Sequence, residues 1–540
     1  MCTKLAISNH IGPMRIQRFF LSPWQRPAVI LYLLLSAASS HGQVQDQPRQ
    51  MAWLDAAMAQ SVEDFNLPSL SVAVVHDGHV IWSQSYGETI AGSGDKATPS
   101  TLYAVASNTK AFTSAALAQL VDEGKLDWDD RVQEHLPWFE LYNPYVTSEL
   151  RVRDLLCHRS GLATFSGDLL WYGTQWSSKE ILEKAKHLEP TTAFRTQFGY
   201  QNLMFMAAGE IIEVVSEKPW KTYIEQAFLE PIGMTSSVLS TNELQDRSHV
   251  AAPHNELASG IQTPIEWINW DNMAPAGALI SSAEEMAKWM IVQLDSGRTA
   301  TDTLWTPSQT HEMWTMHTPI PVSSWYQNML PSMHFRGYGL GWELYDLHGR
   351  KVVAHSGGYD GMISRQVLVP EEKLGIIVLT NANTSVPWGW GHDVLNVLLS
   401  GDRQTPVMDF LLESKREEPA ERALAEEKLI ASRIPEAPTS LTLSDYIGTY
   451  SDLMYGDVRI SVANDTLQFE FEPTPLFRGT LEHWHFDTFR LHWGTQMMLP
   501  KGMAHFDLNM KGQVKSLDFD VPNPDFDFTE LHFIKQSTEQ

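Results

Sequence analysis

Cysteine is nearly absent: Cys2 and Cys157 are the only two in 540 residues. That excludes a disulfide framework and any CxxC…CxxC zinc site. Cations are scarce as well, with 39 Lys and Arg against 65 Asp and Glu and a net charge of -26. No basic face is available to neutralise phosphates, which argues against nucleic acid as a partner. No HExxH occurs, so that zinc hydrolase class has no support, and the lack of a GxSxG elbow weakens an α/β-hydrolase reading. There is no internal repeat. Size and apolar content are plentiful. Hydrophobic residues make up 43% and charged residues 19%, a balance unlike that of disordered or fibrous chains. At roughly 150 residues per domain the chain has room for several buried cores.

Residues 1–42 contain Lys4, Arg15, Arg18 and Arg26 and no acidic residue. An apolar run, Ala28 to Leu35, follows the basic flank, and small residues from Ser36 to Gly42 follow the run. This is the layout of a secretory signal, and it predicts export to the periplasm or beyond. Met14 is an alternative start, and cleavage is expected near Ala38 or Gly42. The run is too short to cross a bilayer comfortably, so no membrane span is expected after processing. Removing those four cations leaves 35 basic against 65 acidic residues, a net charge of -30. Cys157, within Leu155-Leu156-Cys157, reads as a buried thiol and not as a nucleophile.

Met51 to Phe65 reads as an amphipathic helix stopped near Asn66 and Pro68. Leu70–His76 and His79–Tyr86 flank Asp77-Gly78, a hairpin signal. The stretch from about 107 to 300 is mostly helical in pattern, and strands return at 351–354, 363–369 and 374–379. Strands at both ends with helices between predict an α+β fold, its sheet built from the two termini. The domain at 47–400 gives way to a helical linker over 401–440. Glu413–Lys428 favours an exposed helix starting near Pro419, broken by Pro435 and Pro438. Beyond Leu441 short strands predominate (458–462, 467–471, 506–508), which predicts a small antiparallel β-barrel over 441–540.

Ser-x-x-Lys occurs twice. Ser93-Gly94-Asp95-Lys96 sits among glycines with no periodicity. Ser107-Asn108-Thr109-Lys110 opens an apolar run, Ala111 to Val121, that reads as a helix ending before Gly124. There Lys110 lies one turn from Ser107 and can reach its hydroxyl. Amides at a helix start face incoming negative charge, so a serine in that place can attack a carbonyl while its own N–H holds the oxyanion. In Tyr200-Gln201-Asn202, Tyr200 can act as general acid or base, and the Asn202 amide can orient Lys110. In Val352–Gly358, a strand runs into His355-Ser356-Gly357-Gly358, small residues that let substrate lie against a backbone edge, with the Gly358 N–H as second oxyanion donor. Taken singly, Tyr200 and His355 also fit purely structural roles.

In this order the three elements resemble the serine β-lactamase and penicillin-binding-protein superfamily. The second element, Tyr-x-Asn, resembles its class C branch, with separations of 93 and 155 residues between Ser107, Tyr200 and His355. Leu155–Leu162 resembles the branch's LLxHxSGL, Leu229–Met234 its PLGM, and Ala274–Leu279 its PAGGL. The third element carries His355 where β-lactamases carry lysine, a pattern familiar among peptidases and esterases of the branch. The resemblance implies an acyl-enzyme on Ser107, with Lys110 and Tyr200 moving protons and Asn202 orienting. It implies that His355 supports Tyr200 and that Ser107, Gly357 and Gly358 line the oxyanion and substrate site. It requires no metal or organic cofactor. A peptide or amide substrate is expected, then a simple ester, then weak β-lactamase activity. The branch includes the peptidase of linearised microcystin, whose size and layout suit this chain. A penicillin-recognising protein that acylates without turnover is the non-enzymatic alternative. Gly448–Ser451 and Leu481–Phe489 resemble the lipocalin-like domain appended to such hydrolases. His483 and His485 share one strand face there, which fits either a metal pair or a packed polar edge. The oligomeric state is left open.

Overall fold

The computed structural model describes residues 47–401, 404–494 and 499–537; the expected signal segment 1–42 lies outside them. Two compact units are distinguished, Met1–Trp53 and Leu54–Gln540. Of the first, only the opening turns of helix α1 (Gln47–Asp64) are described.

The larger unit is built on an eight-stranded antiparallel sheet. Its strands are β1 (Ser69–His76), β2 (His79–Gly87), β3 (Thr318–Pro319), β4 (Arg336–Tyr338), β5 (Glu343–Leu347), β6 (Arg350–Tyr359), β7 (Met362–Val369) and β8 (Leu374–Thr380), in the order β2-β1-β8-β7-β6-β5-β4-β3. The first strand of the sheet in sequence thus pairs with the last, Leu70 opposite Thr380. The β1–β2 hairpin turns on Asp77 (φ 48°) and Gly78 (φ 78°), the two left-handed residues that a tight twisted hairpin requires. All seven residues of β8 are buried, because helices cover both faces. Ala283–Leu294 packs on one face and Val386–Ser400 on the other. Strands β3 to β5 are only two to five residues long, too short to leave a period in the sequence.

A helical region carries the site. Helix α2 (Lys110–Asp122) is buried on every side and forms its centre. Helix α3 (Asn202–Ser216) packs against it, and against Pro275, whose ring a Cβ on Gly209 would strike at 2.2 Å.

The tail forms a closed eight-stranded antiparallel barrel from Gly448 to Lys535, closed by pairing of Tyr450 with Lys535. Phe469, Phe471, Phe519 and Phe533 fill its interior. One expectation fails. The linker helix starts at Pro406, not near Pro419, and runs to Ala431 with Pro419 inside it. Burial of Val407 and Met408 anchors the earlier start, and the Asp393 carboxylate accepts both of their amides, at 3.4 and 2.8 Å.

Candidate active site

Ser107 lies in a 3-10 turn, Ala106–Thr109, that leads into α2. Ala106 has φ 46°, a left-handed backbone that costs a residue with a Cβ about 1–2 kcal/mol. Tertiary bonds hold the turn. Asn108 Nδ2 donates to Ser364 Oγ (2.7 Å), which donates to Val105 O (2.8 Å). Thr109 Oγ1 donates to Ala106 O and accepts from the Leu279 amide at 3.0 Å. Strand β6 lies hard against the turn. A Cβ on Gly357 would fall 2.0 Å from Val105 O, so only glycine permits the approach.

Lys110 is fully buried. Its Nζ lies 3.0 Å from Ser107 Oγ, 2.7 Å from Asn202 Oδ1 and 2.9 Å from Ala276 O, in the segment Ala274–Leu279. Two of these partners, an amide oxygen and a carbonyl, can only accept. A neutral amine therefore gives them its two N–H groups and turns its lone pair to the Ser107 hydroxyl. Burial pushes the Lys110 pKa down to about 7, against a smaller upward pull from the Asp168 carboxylate. Tyr200 moves the other way. Burial raises its phenol above the usual range although it hydrogen-bonds Ser107, so it stays protonated at neutral pH. Lys110 alone is poised to accept the serine proton, and Tyr200 to give one.

The His355 ring lies 6.1 Å from that of Tyr200 between centroids. Its Nδ1–H donates to Ser356 O (2.6 Å), and its Nε2 accepts from Tyr338 Oη (2.6 Å). Burial, then the Lys110 charge, pushes its pKa to about 3, so it stays neutral. A second imidazole, His158 within Leu155–Leu162, packs closer to Tyr200. That buried ring lies 4.2 Å from Tyr200 between centroids, and its Nδ1 accepts the Gln201 amide at 2.9 Å. Pairing of β6 with β5 ends at Ala354, which leaves the backbone of 355–359 unpaired by β5 beside Ser107. Gly358 lines the same cavity as Ser107.

Two further groups escaped sequence reasoning. Asp168 is buried, and its Oδ2 accepts from Asn202 Nδ2 at 2.6 Å. That contact fixes which end of the Asn202 amide faces Lys110. Burial raises Asp168 to about 7. Arg365, opposite Ser356 in the sheet, donates to Ser356 Oγ (3.0 Å) and to Glu343 Oε2 (2.9 Å). A cation does line this strand, but Glu343 holds it.

The other candidates fall elsewhere. Ser93 Oγ accepts the Asp95 amide in a loop, and Lys96 pairs with Glu88 at 3.0 Å. Ser93→Ala should therefore match the wild-type kcat/KM; an inactive Ser93→Ala would reassign the nucleophile. Cys157 is buried, and its thiol is pushed up to about 12 by burial. His485 Nδ1 accepts the Ile434 amide (3.2 Å) and His483 pairs with Phe486 O (3.0 Å), as a packed edge would. Among the described residues no group of three or more His, Cys, Asp or Glu could hold a metal, and no helix is long and apolar enough to cross a membrane.

The chain belongs to the beta-lactamase family, a family of serine hydrolases, whose model matches residues 54–389. A second model, a domain of unknown function (DUF3471), matches 432–535. The chain is 29% identical over 421 residues to unguisins hydrolase ungD' of Aspergillus campestris, covering 74% of this chain and 76% of that protein. The octameric penicillin-binding protein homologue from Pyrococcus abyssi shares the fold, with 22% identity and a TM-score of 0.59 over 89% of this chain and 99% of that one. A D-stereospecific amidohydrolase from Streptomyces sp. is 24% identical, with a TM-score of 0.51 over 65% of this chain and 99% of its own. The C-terminal barrel agrees with a lipocalin-like domain.

Proposed function

We propose that the protein is an exported serine peptidase or amidase that forms an acyl-enzyme on Ser107. The observation that carries this reading is Lys110 Nζ set 3.0 Å from Ser107 Oγ with two acceptor-only partners on its other side. Neutral Lys110 takes the hydroxyl proton as Ser107 Oγ bonds to the carbonyl carbon. The amides of Ser107 and Gly358 hold the resulting oxyanion. Protonated Tyr200 donates to the departing nitrogen as the amide bond breaks and is reprotonated from Lys110. Water then attacks the ester under the same base, and Ser107 recovers its proton. Asn202, oriented by Asp168, keeps Lys110 in place, and Gly357 lets strand β6 close on the turn that carries Ser107. An amide substrate accords with the hydrolase and amidohydrolase among the similar proteins.

Purified full-length protein should hydrolyse peptide amides at a steady rate, with L- and D-residue peptides, linearised microcystin, esters and penicillins as the panel. A single burst of acylation with no further turnover would favour a binding protein instead. The rate should also follow Lys110. Because the neutral amine is the working form, kcat/KM should rise with pH through a limb near 7. The Asp168 charge holds that pKa up, so Asp168→Asn should move the limb to lower pH. A limb that stays fixed in Asp168→Asn would separate Asp168 from the base.

A further inference from the structure

A cavity of about 600 Å³ opens over Ser107, and part of its wall comes from the barrel: Asn523, Pro524, Asp525 and Phe526. These residues are built in, not draped over it. Asn523 Oδ1 accepts the amides of Asp525 (2.8 Å) and Phe526 (3.1 Å). Farther on, Glu530 Oε2 accepts the Gly167 amide at 2.8 Å, next to Asp168. The Tyr172 ring stacks on Phe477 of the barrel at 5.8 Å.

Phe526 completes an aromatic wall. Its ring centre lies 4.5 Å from Tyr172 and 6.1 Å from Trp171; Trp270 lies 5.2 Å from Trp171 and 4.5 Å from Tyr359. The polar ends of the tyrosines are spent inside the protein. Tyr172 Oη donates to Asp360 Oδ2 at 2.9 Å, and Tyr359 Oη donates to Ile268 O at 2.6 Å. Ring surface is therefore what this wall offers a ligand, which favours an apolar group. Asp525 and Asp360 line the cavity at this end, while Arg336 and Arg365, which also line it, are paired with Glu343, so a carboxylate beside Phe526 meets like charge.

We infer that Pro524–Phe526 of the barrel forms one side of a substrate subsite that selects a bulky apolar acyl group and rejects one bearing a carboxylate. The acyl half is assigned to this walled end because it stays on Ser107 until water arrives, whereas the leaving half must diffuse away. The inference rests on the acyl-enzyme reading above.

Its test is kcat/KM of the full-length protein on p-nitrophenyl acetate, 3-phenylpropionate and hydrogen succinate. Wild type should favour phenylpropionate over acetate by about tenfold or more, the scale of discrimination in an apolar pocket. In Phe526→Ala that ratio should fall by about tenfold, and in Asp525→Asn the succinate-to-acetate ratio should rise several-fold. If Phe526→Ala fails to fold, as a thermal melt would show, Phe526→Leu reads the same ratio. A wild type that turns over all three esters without favouring phenylpropionate, or Phe526 variants whose ratio equals that of wild type, would overturn the subsite. A wild type inert on every ester would instead sink the Ser107 reading.

Discussion

Lys110→Ala is expected to lower kcat/KM by about 10²–10⁴-fold, the range for losing a general base. The neighbouring phenol and imidazoles are otherwise engaged. Tyr200 is held protonated by burial, and His355 already uses its lone pair to accept the Tyr338 hydroxyl at 2.6 Å. His158 spends its acceptor nitrogen on the Gln201 amide. The substitution also leaves Asn202 Oδ1 and Ala276 O without the donor they have in the wild type, so some stability goes with it. Lys110→Met keeps the volume and separates the two effects: its melting temperature should stay nearer to wild type while its rate stays low. Rates in either variant within a few-fold of wild type would remove Lys110 from the mechanism.

The largest stability effect is expected at Glu343. Its side chain is 13% exposed and Arg365 beside it 2%. Arg336 closes the group with a second contact to Glu343 at 2.8 Å. Burial by itself would raise the Glu343 pKa, but Arg365 and then Arg336 outweigh it and hold the carboxylate at about 2. Glu343→Gln would leave the buried Arg365 charge uncompensated and should cost about 3–5 kcal/mol, read from denaturant unfolding. The sign with pH follows from the depressed value. The contribution is complete above the unfolded carboxyl pKa near 4.5 and disappears as pH falls toward 2. The difference between wild type and Glu343→Gln should therefore shrink in acid. A variant as stable as wild type at pH 7 would mean that solvent reaches this pair.

The chemistry-bearing residues were legible where it depends on short spacing. Ser107 and Lys110 are one turn apart, and Tyr200 and Asn202 flank a single residue at the start of α3. The sheet was legible from its long β-branched strands but not from β3 to β5, which are held by pairing and not by local pattern. Asp168 carried no signal, since a lone Asp after Gly167 reads as a turn. His158 did lie inside a stretch with a family likeness, but its packing on Tyr200 depends on a contact 42 residues away in the chain. Protonation states were the least visible. The same burial that brings Lys110 near 7 drives Tyr200 upward, and composition gives no sign of which groups will be dry. Pro419 misled because a proline favours a helix start yet does not forbid an interior position when the ends are anchored elsewhere.

The most direct measurement is covalent labelling with a p-nitrophenyl alkylphosphonate, whose serine adduct hydrolyses slowly, followed by peptide mass spectrometry. One adduct per chain on Ser107, growing in step with loss of hydrolysis and absent from Lys110→Met over the same time, is the predicted result. Inactivated protein labelled at another residue, or protein fully labelled on Ser107 that still turns over substrate, would contradict the account.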